Sequence, residues 1–420
     1  MQRVHLLLLT LLTLYACTGT VPHKPEVEQP AAAAATEQPA AGAAGAQPII
    51  PTPPAAVQSE AITAPPVVES KALPPPPLLP TEKPFPHIAL LLPVQSPIFG
   101  ASADAVRRGF MAATNPKRPG LPVKVYSNFD ENAGVVAIYR QAIANGARAV
   151  VGPLTRNGVA ALAAEQDIPV PTLALNIVEG QPAKQLYFFG MAVEAEARQV
   201  AQLAIKQGLH QAIIITDHSQ LSQRLQAAFE EEWSGQANVT DRGILREIEF
   251  NDDPAVFSDI ADITDTMVFL AADARKARLI RPYLPNKLPI YATSQIFVGN
   301  DKSLTNYDLN GIRFVDMPWL LQPDHPAVMI YPRADPPLPI DQQRLYALGI
   351  DSYRLIQLLL AGKIASALPL DGVTGQIDLV GHTFQRTAVP AVFVQGHAQL
   401  LDAPVAPAPQ FFPGSPIDKP

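Results

Sequence analysis

Beyond the first fifth of the chain, apolar residues recur in two patterns that alternate. Residues 88–92 form a short unbroken apolar run, which is typical of a strand buried on both faces of a parallel sheet. After a loop rich in Ser, Pro and Gly, Val106, Phe110 and Ala113 recur at helical spacing. Ser102 is the expected N-cap of that helix. A strand, a polar loop and a helix in this order predict a βα unit, whose ligands bind at the carboxyl ends of the strands.

The same alternation continues and ends with two short strands. Strands are predicted at residues 122–126, 149–151, 170–175, 186–189, 212–216, 244–250, 267–271, 289–292 and 312–317. Helices are predicted at residues 133–145, 194–207 and 341–361, with shorter ones around residues 159–163 and 221–229. Residues 375–380 and 391–395 are predicted to form a hairpin-like pair. Two βα series joined by crossing strands predict an α/β fold of two lobes with mostly parallel sheets.

The first residues have the pattern of a secretory leader, residues 1–16. Arg3 precedes the apolar run 6–14, which is too short to span a bilayer. Residues 14–17, Leu-Tyr-Ala-Cys, resemble a bacterial lipobox, in which the cysteine becomes the lipidated first residue. Acyl chains on Cys17 would anchor the chain, since each buried methylene contributes roughly 0.8 kcal/mol. By the same resemblance Thr18, in place of Asp, favours the outer membrane; the alternative is an ordinary signal peptide with a chance cysteine.

Residues 17–85 are dominated by Pro and Ala, and we expect them to form a disordered tether. The chain holds 45 prolines, too many for one globular domain, and this segment lacks the apolar periodicity needed to bury a core. Extended, it reaches about 200 Å, whereas the ends of a flexible coil of this length lie about 50 Å apart. Residues 402–420 are again Pro-rich.

Composition and motifs argue against several classes of function. The formal net charge is −7, which disfavours a nucleic-acid partner. The single cysteine excludes intramolecular disulfides and Cys-rich metal sites. The sequence lacks a nucleophile elbow, a Ser-x-x-Lys motif, a phosphate-binding loop and a His-Glu-x-x-His motif. Asp217, His218 and Ser219 are neighbours on one loop, so their side chains do not form a catalytic triad. We therefore expect a protein that is not an enzyme and has no cofactor, metal or catalytic residue.

Polar side chains at the ends of the predicted strands are the candidate ligand-binding residues. The first lobe contributes Gln95, Ser96, Thr155, Arg156, Asn157 and Asn176, and the second contributes Asp217 and His218. Thr155 starts a helix, where an anion is attracted, but plain N-capping explains it equally well. Arg156 is suited to bind a carboxylate through two hydrogen bonds, and the alternative is a solvated surface arginine. Solute receptors that resemble such a fold hold an amino-acid head group with hydroxyls and backbone amides of these loops, and whether a small ligand enters this cleft stays open.

Five segments carry a family resemblance. They are residues 87–93 (HIALLLP), 150–156 (VVGPLTR), 170–176 (VPTLALN), 346–354 (YALGIDSYR) and 372–375 (GVTG). Together they resemble the LppC/LpoA lipoproteins, a branch of the type I periplasmic-binding-protein fold. The resemblance covers about residues 86–401 and implies an outer-membrane activator that binds a class A penicillin-binding protein and stimulates peptidoglycan cross-linking. Longer members carry an N-terminal helical repeat domain, in whose place this chain has its Pro/Ala segment.

The fold so implied divides residues 86–401 into two lobes. We expect lobe one at about residues 86–190 and 317–370, and lobe two at about residues 191–316 and 371–401. Two hypotheses follow: a regulator whose outer surface docks on a cell-wall synthase, or a lipid-anchored solute receptor for an amino acid or small peptide, of the kind that serves ABC transporters. The receptor requires a polar cleft that closes on its ligand, whereas the regulator requires only a docking surface.

Overall fold

The computed structural model describes residues 83–114, 120–127, 131–235, 243–261 and 263–401, with only the backbone of residues 131–133. The predicted leader, lipidated Cys17, the Pro/Ala tether up to residue 82 and the Pro-rich tail lie outside these ranges. None of the helices in the described ranges is long and apolar enough to cross a membrane.

Within those ranges the chain alternates strands and helices. The strands are β1 (His87–Leu91), β2 (Val123–Tyr126), β3 (Ala147–Val151), β4 (Thr172–Ala174), β5 (Leu186–Phe189), β6 (Gln211–Thr216), β7 (Gly243–Glu249), β8 (Thr266–Leu270), β9 (Ile290–Ala292), β10 (Ile312–Asp316), β11 (Leu370–Asp371), β12 (Gln376–Val380), β13 (Thr383–Thr387), β14 (Val389–Val394) and β15 (His397–Leu400). The helices are α1 (Gly100–Ala112), α2 (Glu131–Ala144), α3 (Arg156–Ala163), α4 (Val193–Lys206), α5 (Gln220–Gly235), α6 (Ala274–Ile280), α7 (Ser303–Asn306), α8 (Pro318–Leu321), α9 (Pro326–Met329), α10 (Ile340–Ala361) and α11 (Ile364–Ala367).

The strands form two sheets, and each sheet is the centre of one lobe. The first sheet has the order β11-β12-β13-β5-β4-β3-β1-β2, and its strands from β13 to β2 run parallel. The second has the order β15-β14-β10-β9-β8-β6-β7, and its strands from β10 to β7 run parallel. Antiparallel strands complete one edge of each sheet. The predicted α/β fold with two lobes and mostly parallel sheets is confirmed.

Strand β1 is buried on both faces, as its unbroken apolar run predicts. Ile88 and Leu90 belong to a core cluster with residues of α1 and α10. Ala89 and Leu91 belong to a different cluster with residues of α2 and α3. Because helices cover both faces of the sheet, a polar site in this lobe is restricted to the loops at the ends of its strands.

Helices α1 and α10 touch backbone to backbone at Gly109 and Gly349. A Cβ atom on Gly109 would lie 1.8 Å from the carbonyl oxygen of Tyr346, and one on Gly349 would lie 2.1 Å from that of Val106. Only a residue without a Cβ permits this approach. The contact therefore fixes the position of α10, which carries Arg344 to the junction with the second lobe.

Helix α1 begins earlier than predicted, and Ser102 is not its N-cap. The helix starts at Gly100, and its N-cap, Phe99, makes no side-chain capping bond. Instead Ser96 Oγ accepts hydrogen bonds from the backbone N–H groups of Ile98 and Phe99, at 3.3 and 3.2 Å. A hydroxyl four residues before the first helical residue thus accepts from the backbone donors of this turn, which removes the need for a cap at Ser102.

The predicted terminal hairpin of residues 375–380 and 391–395 is wrong, because the two segments lie in different sheets. Strand β12 pairs with β11 and β13, whereas β14 pairs with β10 and β15. The sequence assigned residues 371–401 as a block to the second lobe, but β11, β12 and β13 complete the first sheet. An alternating apolar pattern identifies β12 as a strand but does not identify the strand with which it pairs. That pairing depends on the sheet that the chain reaches after α10.

Candidate functional site at the lobe junction

The chain passes between the lobes three times, and a buried polar network joins these crossings. The first crossing leads from β5 to α4, the second from β10 to α10, and the third from β13 directly into β14. The side chains of four charged residues are nearly or fully buried here: Glu196 of α4, Asp316 of β10, Arg344 of α10 and Arg386 of β13. Ionised groups at such positions need partners that offset the loss of water.

Arg344 and Asp316 form the first buried ion pair across the junction. The guanidinium Nη2 lies 2.7 Å from Asp316 Oδ2 and also donates to the carbonyl oxygens of Ser294 and Phe297, at 3.0 and 2.9 Å. Burial raises the pKa of Asp316 above the usual aspartate range, and the positive charge of Arg344 opposes that rise. The pair therefore joins the start of α10 to the carboxyl ends of β9 and β10.

Glu196 and Arg386 form the second buried ion pair. Arg386 Nη2 lies 2.5 Å from Glu196 Oε1, and Glu196 Oε2 accepts a hydrogen bond from the N–H of Ser294 at 3.1 Å. Ser294 thus bonds to both ion pairs, through its carbonyl to Arg344 and through its N–H to Glu196. One network of charge-assisted hydrogen bonds connects both lobes.

Gln199, one turn beyond Glu196 on α4, fixes the third crossing. Its Nε2 donates to the carbonyl oxygen of Ala388 at 2.7 Å, and its Oε1 accepts from the N–H of Ala388 at 2.9 Å. Ala388 is the residue between β13 and β14. The backbone is held at the point where a hinge motion would have to bend it.

Four of the eight sequence-predicted cleft residues come together beside this network. Thr155, Arg156, Asn157 and Asn176 line one cavity of about 440 Å³ at the carboxyl ends of β3 and β4, with Met191 and Leu345 on its far side. Arg156 and Asn176 also line a larger cavity of about 710 Å³, whose other walls come from α4, α5 and β13. Four of the six candidates of the first lobe therefore share one cavity at the strand ends.

The polar atoms of two of these residues are already used by the fold. Thr155 Oγ1 accepts from the N–H of Gly158 at 3.2 Å, so the N-cap interpretation of Thr155 is confirmed. Asn176 donates from Nδ2 to the carbonyl oxygen of Leu154 at 3.2 Å and accepts at Oδ1 from the N–H of Ile177. Arg156 and Asn157 are exposed. Ligand binding by these four residues stays a prediction.

The other four candidates lie elsewhere. Ser96 is nearly buried, and its hydroxyl supports the turn before α1. The backbone N–H of Gln95 donates to Ser127 Oγ at 3.3 Å. Asp217 and His218 line a separate cavity of about 410 Å³ at the carboxyl ends of β6, β7 and β8, where His218 Nδ1 lies 2.5 Å from Glu249 Oε1. The structure does not bring these four residues to the cavity of Thr155.

The four charged residues of the junction were not among the sequence candidates, since an alternating apolar pattern does not distinguish a buried charge from an exposed one. Their signal is positional: Asp316 ends a strand and Arg344 follows the start of a long helix. In the described part of the chain, no group of three or more His, Cys, Asp or Glu side chains is arranged to hold a metal ion.

Comparisons with known proteins now place the chain. The family described as "LppC putative lipoprotein" matches residues 79–385. The penicillin-binding protein activator LpoA of Photobacterium profundum is 27% identical over 332 residues, which cover 70% of this chain and 53% of that protein. The chain thus spans about half the length of the curated relatives it matches.

Solved structures agree with the fold. The C-domain of LpoA from Haemophilus influenzae, titled a regulator of PBP1A, superposes with a TM-score of 0.63 at 24% identity and covers 75% of this chain and 99% of that one. A structure from Chromobacterium violaceum, titled a "putative branched-chain amino acid ABC transporter", is 37% identical with a TM-score of 0.62 and covers 73% of this chain and 99% of that one. The match over most of the chain shows that it belongs to the LppC lipoprotein family.

Proposed function

We propose that this protein binds a class A penicillin-binding protein and raises its peptidoglycan cross-linking activity without chemistry of its own. The observation that carries the proposal is the LppC match over residues 79–385, together with relatives named as activators of penicillin-binding proteins. The described fold corresponds in extent to the C-domain of one such relative.

The lobe junction supports a docking role. Changes in the angle between the lobes are resisted by two ion pairs, Arg344–Asp316 and Arg386–Glu196. The two hydrogen bonds between the Gln199 side chain and the backbone of Ala388 act in the same way. A fixed angle presents one constant surface to a partner. Such a partner is shifted toward its active state only by the difference between the affinities of its two states, and about 1.4 kcal/mol of difference gives a tenfold shift.

The test is the yield of cross-linked muropeptides made by the purified native synthase, with and without the full chain in detergent. We expect direct binding and a higher yield. The synthase inactivated by a β-lactam serves as the control and should show no rise. Absence of binding together with an unchanged yield would contradict the activator proposal.

We further propose that Cys17 anchors the mature chain at the periplasmic face of the outer membrane. The apolar run before Cys17 and the threonine after it support this assignment. In Cys17→Ser the chain should leave the outer-membrane fraction and appear as soluble or uncleaved protein. Unchanged fractionation would rule out this anchor.

One observation favours a second candidate, a solute receptor. The 37% identical structure from Chromobacterium violaceum is described as that of a branched-chain amino acid ABC transporter, and the cavity of Thr155 and Arg156 has a volume suited to a small ligand. Calorimetric titration of the full chain with branched-chain amino acids tests it, with Arg156→Gln as the matched variant. Tight binding that Arg156→Gln weakens, alongside no effect on the synthase, would favour the receptor over the activator.

A further inference from the structure

We propose that an exposed apolar surface of the second lobe, formed by Leu279, Tyr283, Leu304 and Tyr307, docks on an acidic surface of the synthase. These four residues together form the second-lobe patch. The inference rests on the proposed function, because it names the surface through which this chain binds a class A penicillin-binding protein. The patch lies apart from the cavities at the lobe junction.

The four side chains of the patch are large, apolar and exposed. Leu304 exposes 91% of its surface, Tyr307 59%, Tyr283 53% and Leu279 47%. Single exposed apolar residues are common on proteins, whereas a contiguous group of them marks a site of association. Tyrosine in particular is enriched where proteins bind one another. What matters is therefore whether the four residues adjoin.

The four residues form two pairs, and each pair lies on one face of a helical segment. Leu279 is in α6, and Tyr283 follows four residues later in the 3₁₀ turn that continues this helix. Leu304 is in α7, and Tyr307 follows three residues later in a second 3₁₀ turn. Residues three or four apart on a helix are neighbours on its surface. The second turn has Cα atoms within 8 Å of those of α6 and of the first turn, so the two pairs adjoin.

Arg281 holds the two helical segments together. Its Nε donates to the carbonyl oxygen of Asn310 at 3.0 Å, its Nη1 to that of Leu284 at 3.2 Å and its Nη2 to Asn286 Oδ1 at 3.1 Å. Asn310 Oδ1 in turn accepts from the N–H of Gly396, between β14 and β15, at 2.9 Å. Because these bonds fix the backbone beneath both pairs, the patch is preformed, and a partner that binds it loses little affinity to the ordering of this surface.

The sequence around the first pair is basic, although the whole chain carries a formal net charge of −7. Residues 274–300 contain neither Asp nor Glu and include five cations: Arg275, Lys276, Arg278, Arg281 and Lys287. Acidic side chains on a partner therefore complement this part of the surface.

The cations differ in how far the fold already neutralises them. Lys276 pairs with Asp252. Lys287 is exposed, directly follows the Asn286 that Arg281 holds, and forms no ion pair with any residue of the described ranges. On the side of the second pair, Asp308 adds one negative charge. The positive charge available to a partner is therefore concentrated beside Leu279 and Tyr283.

A second copy of the chain is a less suitable occupant of the patch. In a symmetric dimer the patch would meet itself, and each basic segment would face an identical one. Like charges that face each other across an interface are repulsive. An acidic partner is attracted instead, and this attraction weakens as the salt concentration rises.

The test measures the affinity of the full chain in detergent for the purified native synthase. Leu304→Ser combined with Tyr307→Ser should weaken binding about tenfold, because a few apolar and aromatic anchors carry most of the energy of an interface. Lys287→Glu should weaken binding at low salt and have less effect at high salt. The matched control is Val380→Ser, since Val380 is 57% exposed on β12 of the first sheet, and this variant should bind as the parent does. The thermal unfolding of all variants should match that of the parent, because the replaced side chains are exposed.

The outcomes separate this inference from the proposed function. Equal affinity of the parent and the double variant, while the parent raises the yield of cross-linked muropeptides, would overturn the inference alone. Absence of binding by the parent would overturn both. Equal losses in the double variant and in Val380→Ser would show that the effect is not specific to the patch. If the double variant instead loses self-association or binding to vesicles with anionic lipid, and keeps its affinity for the synthase, the patch has another occupant and the inference is wrong.

Discussion

Arg344→Met should lower the free energy of unfolding by about 3–5 kcal/mol, because it leaves the carboxylate of Asp316 buried without its counter-charge. Asp316 is fully buried, and Met317 N–H is the other donor to it, at 2.8 Å. Arg344 also satisfies the carbonyl oxygens of Ser294 and Phe297, which methionine cannot do. Urea unfolding followed by circular dichroism measures the loss.

The pH dependence separates this cause from a simple packing defect. Burial already raises the pKa of Asp316 in the folded chain above its unfolded value, and the loss of Arg344 raises it further. A carboxyl whose pKa is raised on folding contributes most to stability below its unfolded pKa, and the contribution is lost as the pH rises through the folded pKa. Arg344→Met should therefore lose less stability near pH 4 than near pH 7, since only the loss at the two carbonyl oxygens is independent of pH.

The matched control is the double variant Asp316→Asn with Arg344→Met. It removes the buried charge together with its partner, so part of the lost stability should return and the pH dependence should flatten. A loss in Arg344→Met that is equal at both pH values would show that the ion pair is not its origin.

The elements of this fold are readable from local patterns, and their long-range pairing is not. The apolar run of β1 and the helical spacing of Val106 and Phe110 depend on residues close in sequence, so both elements were predicted correctly. The place of β12 in the first sheet depends on where α10 ends. Pairings over such sequence distances leave no periodic signal in the strand itself.

The site divides in the same way. Thr155 and Asn176 lie at strand ends, a position that topology alone selects, and they do share a cavity. Asp217 and His218 also lie at the carboxyl ends of strands, in the second lobe, but they line another cavity. The position of a residue in its own sheet predicts the edge at which it lies and does not predict how one lobe is oriented relative to the other. The buried pair of Glu196 and Arg386 joins residues 190 positions apart, which no local motif can show.

Gly349→Ala should destabilise the first lobe by about 3 kcal/mol, although it adds only one methyl group. The new Cβ would lie 2.1 Å from the carbonyl oxygen of Val106 and 2.7 Å from the nitrogen of Phe110, and both are backbone atoms that cannot rotate away. Helix α10 must then move off α1. Since α10 also carries Arg344, the movement should disturb the ion pair with Asp316 as well.

The matched control for Gly349→Ala is Gly235→Ala. Gly235 is the last residue of helix α5, and a Cβ there meets no atom within 4 Å, so the substitution should be neutral or stabilising by about 0.5–1 kcal/mol. Thermal unfolding of both variants beside the parent chain measures the difference. If α1 and α10 separate, Gly349→Ala should also share the pH dependence expected of Arg344→Met, because both weaken the hold on Asp316. Equal stability of the two glycine variants would mean that the helices can part at no cost, contrary to the contact at Gly109 and Gly349.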